Sequence, residues 1–136
     1  MSPKRKLLLG AAVALPFLVV LAAFLLSSPV LAWTQQRIDR DPFTDSSREL
    51  QMITADVCLM TWRPEDAATR YRLYYERYTK DLRRAHALLR YAVSLEDAGR
   101  TADALEIYAK YLAEYRDHEE KAEAEIGTNR IRNSRR

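Results

Sequence analysis

Residues 85–118 read AHALLRYAVSLEDAGRTADALEIYAKYLAEYRDH, and the spacing of their apolar side chains decides the fold. Leu88, Tyr91, Ala92 and Leu95 fall on one face of a helix that runs from Leu82 to about Ala98. Gly99 stops it, and Asp81 stands where a carboxylate can cap its start. Thr101 is placed as the N-cap of the next helix, in which Ala104, Leu105, Tyr108, Tyr111, Leu112 and Tyr115 supply the apolar stripe. Two such helices joined by a glycine turn cannot cover their own apolar face, so further helices must stack on them.

The flanking sequence repeats the pattern. Ser46 and Glu49 match a capping box, and Leu50, Ile53, Val57 and Met60 follow at helical spacing, which predicts a helix over 47–60. Pro64 restarts the period at a favoured first-turn position, with Glu65 and Asp66 beside the positive end of the helix dipole; this helix runs to about Thr79. Beyond the hairpin, Asp117 can cap a last helix from Glu119 to about Ile131, acidic at its start and basic at its end. No stretch alternates as a strand would, so the expected class is all-α.

Residues 85–118 resemble one tetratricopeptide repeat, a helix-turn-helix unit of about 34 residues. Leu88 stands at the family's first large position, Tyr91 and Ala92 form the large-then-small pair, and Leu95 takes the following aromatic position. Ala98-Gly99-Arg100 is a typical turn, Ala104 the small residue of the second helix, Tyr108 its aromatic, and Asp117-His118 resembles the loop between repeats. Tyr111 and Arg116 depart from the usual small residue and proline. In residues 48–81, Ala55, Ala67 and Tyr71 fall in corresponding places once an insertion is allowed near Pro64. The resemblance implies an array of about five helices over 47–136, with residues 119–132 as its polar cap, and a role in binding protein.

Ahead of the array lies a different kind of sequence. No charged side chain occurs from Leu7 to Gln36, and Leu7 to Leu26 holds only Leu, Val, Ala, Phe, Gly10 and Pro16. At about 1.5 Å per residue, twenty such residues span roughly 30 Å, the thickness of a hydrocarbon core. A single transmembrane helix is expected within 7–33, with Trp33 at the far headgroup layer. Lys4, Arg5 and Lys6 form a short cytoplasmic N-terminus over 1–6 under the positive-inside rule, so the array faces the periplasmic side of an inner membrane. Val30-Leu31-Ala32 also fits a signal-peptide cleavage site, and cleavage after Ala32 would release a secreted soluble protein. Residues 34–46 are polar, carry Pro42 and lack a period, so a linker of little regular structure is expected there.

The chain has 136 residues, with 22 Lys or Arg against 19 Asp or Glu. Lys4, Arg5 and Lys6 account for the whole surplus of three, so the exported part is neutral on average and offers no support for nucleic-acid binding. Its charges alternate along the chain. Residues 34–69 sum to −3, 70–90 to +5, 91–126 to −6 and 127–136 to +4. One account pairs adjacent helices within the molecule. The other makes Arg83, His86, Arg90, Val93 and Asp97 a groove for an acidic peptide, and lets the basic tail touch anionic lipid or a neighbouring subunit.

Tyr71, Tyr74, Tyr75 and Tyr78 form a stripe that reads either as core or as an exposed partner-facing edge, since four buried hydroxyls need partners. Cys58 reads as a small core residue. His86 and His118 have no second ligand at metal spacing, and no phosphate loop, haem motif or nucleophile elbow occurs. The expected function is therefore non-enzymatic and cofactor-free: an accessory or assembly subunit that docks protein subunits of a membrane complex, or else a chaperone-like adaptor for exported chains.

Overall fold

The computed structural model describes residues 16–22, 24 and 27–135. From residue 27 onward it is a run of six helices: α1 (Ser28–Arg40), α2 (Asp45–Met60), α3 (Pro64–Arg77), α4 (Arg84–Asp97), α5 (Thr101–Glu114) and α6 (Lys121–Ser134). There is no strand among the described residues. The chain divides into two compact units, Met1–Gln36 and Arg37–Arg136.

In the first unit, residues 16–22 and 24 are helical, and Phe17, Leu18, Val19, Val20, Leu21 and Phe24 are all exposed. Lys4, Arg5 and Lys6 lie outside the described residues, as do residues 7–15, 23, 25 and 26 of the expected span. Among the described residues no helix is long and apolar enough to cross a membrane. Trp33, expected at the headgroup layer, is exposed and lies inside α1.

The expected linker over 34–46 is mostly helical instead. Helix α1 continues to Arg40, and a turn at 41–44 leads into α2. Its last turn belongs to the second unit and is held there: Ile38 is fully buried and Asp39 pairs with Arg77 at 2.6 Å. The Pro42 carbonyl accepts the Tyr78 hydroxyl at 2.6 Å. A single apolar side chain anchors this turn, too few to make a period in the sequence. Helix α2 starts earlier than the Ser46–Glu49 box suggests. Thr44 is the N-cap, its Oγ1 accepting the Ser47 N–H, because Glu49 turns away to bind Arg83.

The second unit is a helical repeat, each helix packing chiefly on its neighbours in the chain. Its interval is 37 residues. Met60, Asp97 and Ser134 end α2, α4 and α6, while Arg40, Arg77 and Glu114 end α1, α3 and α5, each 37 residues after the last. Ala55, Ala67, Tyr71 and Tyr74 thus correspond to Ala92, Ala104, Tyr108 and Tyr111 with no insertion near Pro64. All eight are buried. Alanines let the helices approach, and each tyrosine fills the space behind them. The interval exceeds a 34-residue unit by three residues, taken up in the loops at 78–83 and 115–120, which share one pattern of turns: Asp81 N–H to Tyr78 O and Arg84 N–H to Asp81 O, then His118 N–H to Tyr115 O and Lys121 N–H to His118 O. A helical-repeat, all-α architecture of this kind fits the tetratricopeptide resemblance.

The tyrosine stripe is core. Tyr71, Tyr74, Tyr75 and Tyr78 are buried, and each hydroxyl has a partner inside the molecule: Asp56, Asp81, Glu114 and the Pro42 carbonyl respectively. Tyr108 and Tyr111 likewise reach Glu96 and His118. Burial pushes all six phenols up, Tyr75 and Tyr111 to about 12. A hydrogen bond to an ionised acceptor contributes roughly 1.5–3 kcal/mol, which offsets the desolvation of a phenol. Cys58 is buried in the same core, and burial raises its thiol.

The turns α2–α3 and α4–α5 close identically. Arg63 N–H reaches the Cys58 carbonyl and Arg100 N–H the Leu95 carbonyl, both at 2.9 Å, which is a Schellman closure. That closure needs a left-handed residue, supplied by Gly99 (φ 78) in one turn and by Trp62 (φ 59) in the other. For a bulky residue this conformation costs about 1–2 kcal/mol.

Helix α6 ends the stack. Leu88, Leu89, Ala92 and Leu95 are buried in α4, while the corresponding Glu125, Ile126, Asn129 and Arg132 of α6 are exposed. The polar cap expected over 119–132 therefore stands where a following helix would otherwise pack.

Candidate functional site

Helical spacing lines up one face of the array. Glu49, Ile53, Asp56 and Met60 on α2 correspond, at 37-residue intervals, to His86, Arg90, Val93 and Asp97 on α4 and to Glu123, Gly127, Arg130 and Ser134 on α6. Four of the five residues expected to form a groove thus share a face, and Arg83 precedes α4 at its start.

The basic side chains of that face are already engaged. Arg83 forks onto Glu49 (2.7 and 3.0 Å), His86 Nδ1 meets Glu120 at 2.7 Å, Arg90 meets Glu123 at 3.3 Å, and Arg130 forks onto Glu96 (2.6 and 2.8 Å). Residues of opposite charge about one repeat apart are brought together, which explains the alternating charge blocks. Of the two accounts of the charge blocks, these ion pairs match the internal one, and the basic side chains of the expected groove have partners within the chain. Glu49 is held below the usual carboxylate range by the Arg83 hydrogen bond, and Glu96 by that of Arg130. Exposed pairs of this kind add little to stability singly, and they fix the register of neighbouring helices.

Carboxylates and apolar groups remain. Asp56 holds the Tyr71 hydroxyl and has no ion pair among the described residues. Asp97 has none either; burial and the neighbouring Glu96 raise its carboxyl. Ile53 is 53% and Met60 80% exposed. A cleft of about 340 Å³ opens here, lined by Asp56, Leu59, Met60, Tyr71, His86 and Arg90, so three of the expected site residues meet in it. Tyr74, Tyr75, Tyr78, Val93 and Asp97 do not line it.

A second cleft, about 410 Å³, lies at the opposite end of α3 beside Phe43, Tyr78, Lys80 and Leu82. Leu82 is 96% and Phe43 78% exposed there, and the adjacent Arg48 and Arg77 pair with Asp81 and Asp39. Among the described residues no group of three His, Cys, Asp or Glu side chains is placed to hold a metal ion. Sequence reading missed Ile53, Asp56, Met60 and Trp62 as site residues. The available signal was the correspondence of Thr61-Trp62-Arg63 to Ala98-Gly99-Arg100, visible only at an interval of 37. In comparison with known proteins, no family model matches the chain and no curated protein matches its sequence.

Proposed function

We propose that the chain is a single-pass, membrane-anchored interaction subunit whose tetratricopeptide-like array docks a protein component of a membrane complex on the periplasmic side of an inner membrane. The observation that carries the docking role is the shared helix face. Its cations are matched internally, yet Ile53 and Met60 stand open beside a cleft, where a monomer gains nothing from exposing them. Anchoring is supported by the uncharged run from Leu7 to Gln36, the basic cluster before it, and the exposure of Phe17 to Leu21 and Phe24. Cleavage after Ala32 would remove the first five residues of α1, which favours the anchor over a secreted form. The mechanism is positional: the span fixes the array at the bilayer and the array holds its client there.

A photo-crosslinking residue at Met60, in membranes, should give one discrete adduct with a protein that also co-purifies in mild detergent. The same residue at the exposed Glu106 of α5 should not. If the protein migrates alone and both positions label alike, the docking role is wrong. N-terminal sequencing of the native protein separates an intact anchor from a mature form starting at Trp33.

A further inference from the structure

Trp62 sits in a left-handed turn where the corresponding residue of the next repeat is Gly99, and the backbone hydrogen bonds of the two turns match. A side chain there is strained by its backbone and not by crowding, since a Cβ added at Gly99 meets nothing within 4 Å. Its ring is 89% exposed, so no packing inside the chain offsets the strain. Met60, two residues earlier, and Ile53, two turns back on the same face of α2, extend one apolar edge. At the corresponding places α4 carries Asp97 and Arg90.

Charge around this edge selects its occupant. From Asp45 to Asp66 there are five acidic and two basic side chains. Both arginines are matched, Arg48 to Asp45 and Asp81 and Arg63 to Asp66. Among the described residues the Asp56 carboxylate meets only the Tyr71 hydroxyl, and that of Glu65 only Arg100, at a long 3.5 Å. Arg90 and His86, which line the cleft with Asp56 and Met60, are engaged by Glu123 and Glu120, so the charge left over in this stretch is negative, which disfavours an anionic lipid surface and suits a cation.

Resting on the reading that this face docks protein, we infer that Trp62, Met60 and Ile53 receive a cationic amphipathic segment, one whose Lys or Arg side chains stack on the Trp62 indole and pair with Asp56 while its apolar residues cover Met60 and Ile53. Indole is the strongest of the aromatic rings for a cation, methionine adapts its shape to varied apolar partners, and tryptophan anchors dominate protein interfaces.

The test uses the full chain in detergent with Trp33→Phe, so that Trp62 is its sole indole, and two synthetic helical peptides with the same Leu/Met face and either Lys/Arg or Glu on the polar face. The cationic peptide should shift Trp62 emission and saturate, with the acidic one weaker by about tenfold or more. In the parent chain, with labelled cationic peptide, Trp62→Gly should lose about tenfold in affinity while melting no lower than the parent, and Asp56→Asn about fivefold. Equal binding of the two peptides, with loss in Trp62→Gly, overturns the charge assignment and leaves the docking face standing. Unchanged binding in Trp62→Gly overturns the role of the indole. Emission that responds to phosphatidylglycerol vesicles and to neither peptide overturns the protein occupant. Failure of the Met60 crosslink, separately, removes the docking role itself.

Discussion

The two repeats, α2 with α3 and α4 with α5, share a backbone and differ in the chemistry hung on it. In both, alanines mark the close approaches, a tyrosine four residues after the second alanine fills the core, and an identical hydrogen-bonded turn joins the helices. Yet Tyr74 donates to Asp81 where Tyr111 meets His118, and Glu49 binds Arg83 where His86 binds Glu120, a pair in which acid and base have exchanged places. Trp62 stands against Gly99, and Ile53 against Arg90. What is kept is size at the approaches and the left-handed backbone at the turn; polar identity changes where a complementary partner changes with it.

The comparison breaks most visibly at the cap. Leu88→Ala should cost about 3 kcal/mol by leaving a cavity in the core, while Glu125→Ala, at the corresponding place in α6, should stay within about 0.5 kcal/mol. Denaturant midpoints at constant slope measure both, and equal losses would mean that α6 is no cap.

Next in size is Gly127. A Cβ there would lie 2.5 Å from Tyr108 Cζ, and the ring cannot retreat because its hydroxyl is held by Glu96. Gly127→Ala should cost about 2 kcal/mol, and combination with Tyr108→Leu should recover much of it, whereas Arg90→Ala at the equivalent place on α4 should lose less than about 1 kcal/mol.

Exchanging the turn residues should shift stability in opposite directions. Trp62→Gly should gain about 1 kcal/mol and Gly99→Trp lose a similar amount, readable as a rise and a fall in melting temperature. A loss on Trp62→Gly would show that the indole is packed in solution.

The smallest effect is in pH. Glu96 is lowered by the Arg130 hydrogen bond, against burial, with help from the Tyr108 hydroxyl. Burial pushes Asp81 up, but the Arg83 N–H, the Tyr74 hydroxyl and nearby arginine charges outweigh it, so its pKa is also lowered. A carboxylate lowered by folding contributes stability that is whole above its unfolded value, near pH 4, and is lost as pH falls through the folded value. Asp97 is raised by burial and by Glu96, so its sign is opposite: its ionisation opposes folding as pH rises. Asp97→Asn should therefore stabilise at pH 7 and lose that advantage near pH 3, while Glu96→Gln should destabilise at pH 7 and converge with the parent in acid. Denaturation at both pH values tests the pair.

Much of the fold was legible from the sequence because amphipathic helices advertise their period. Leu88, Ala92 and Leu95 mark α4, Ala104 and Tyr108 mark α5, and Glu119 to Ile131 announces a polar cap. Helix α1 beyond Trp33 was hidden, since Ile38 is its lone buried apolar side chain in the second unit and its other fastenings are an ion pair and a carbonyl. The interval was obscured by the loops, whose length no hydrophobic pattern encodes. As for the site, spacing placed His86, Arg90, Val93 and Asp97 on one face, and left open whether their charges pair inside the molecule or face a partner. A sequence does not show which Arg is already matched by a Glu about 34 residues away.

The polar surface of α6 also bears on how copies could meet end to end. Contacts between the end of one copy and the start of another are heterologous and propagate without limit. A stack that finished on leucines at 125, 126 and 132 would offer each molecule as a template for the next. By placing Glu125, Asn129 and Arg132 there, beside an exposed Ile126, α6 withholds most of that template.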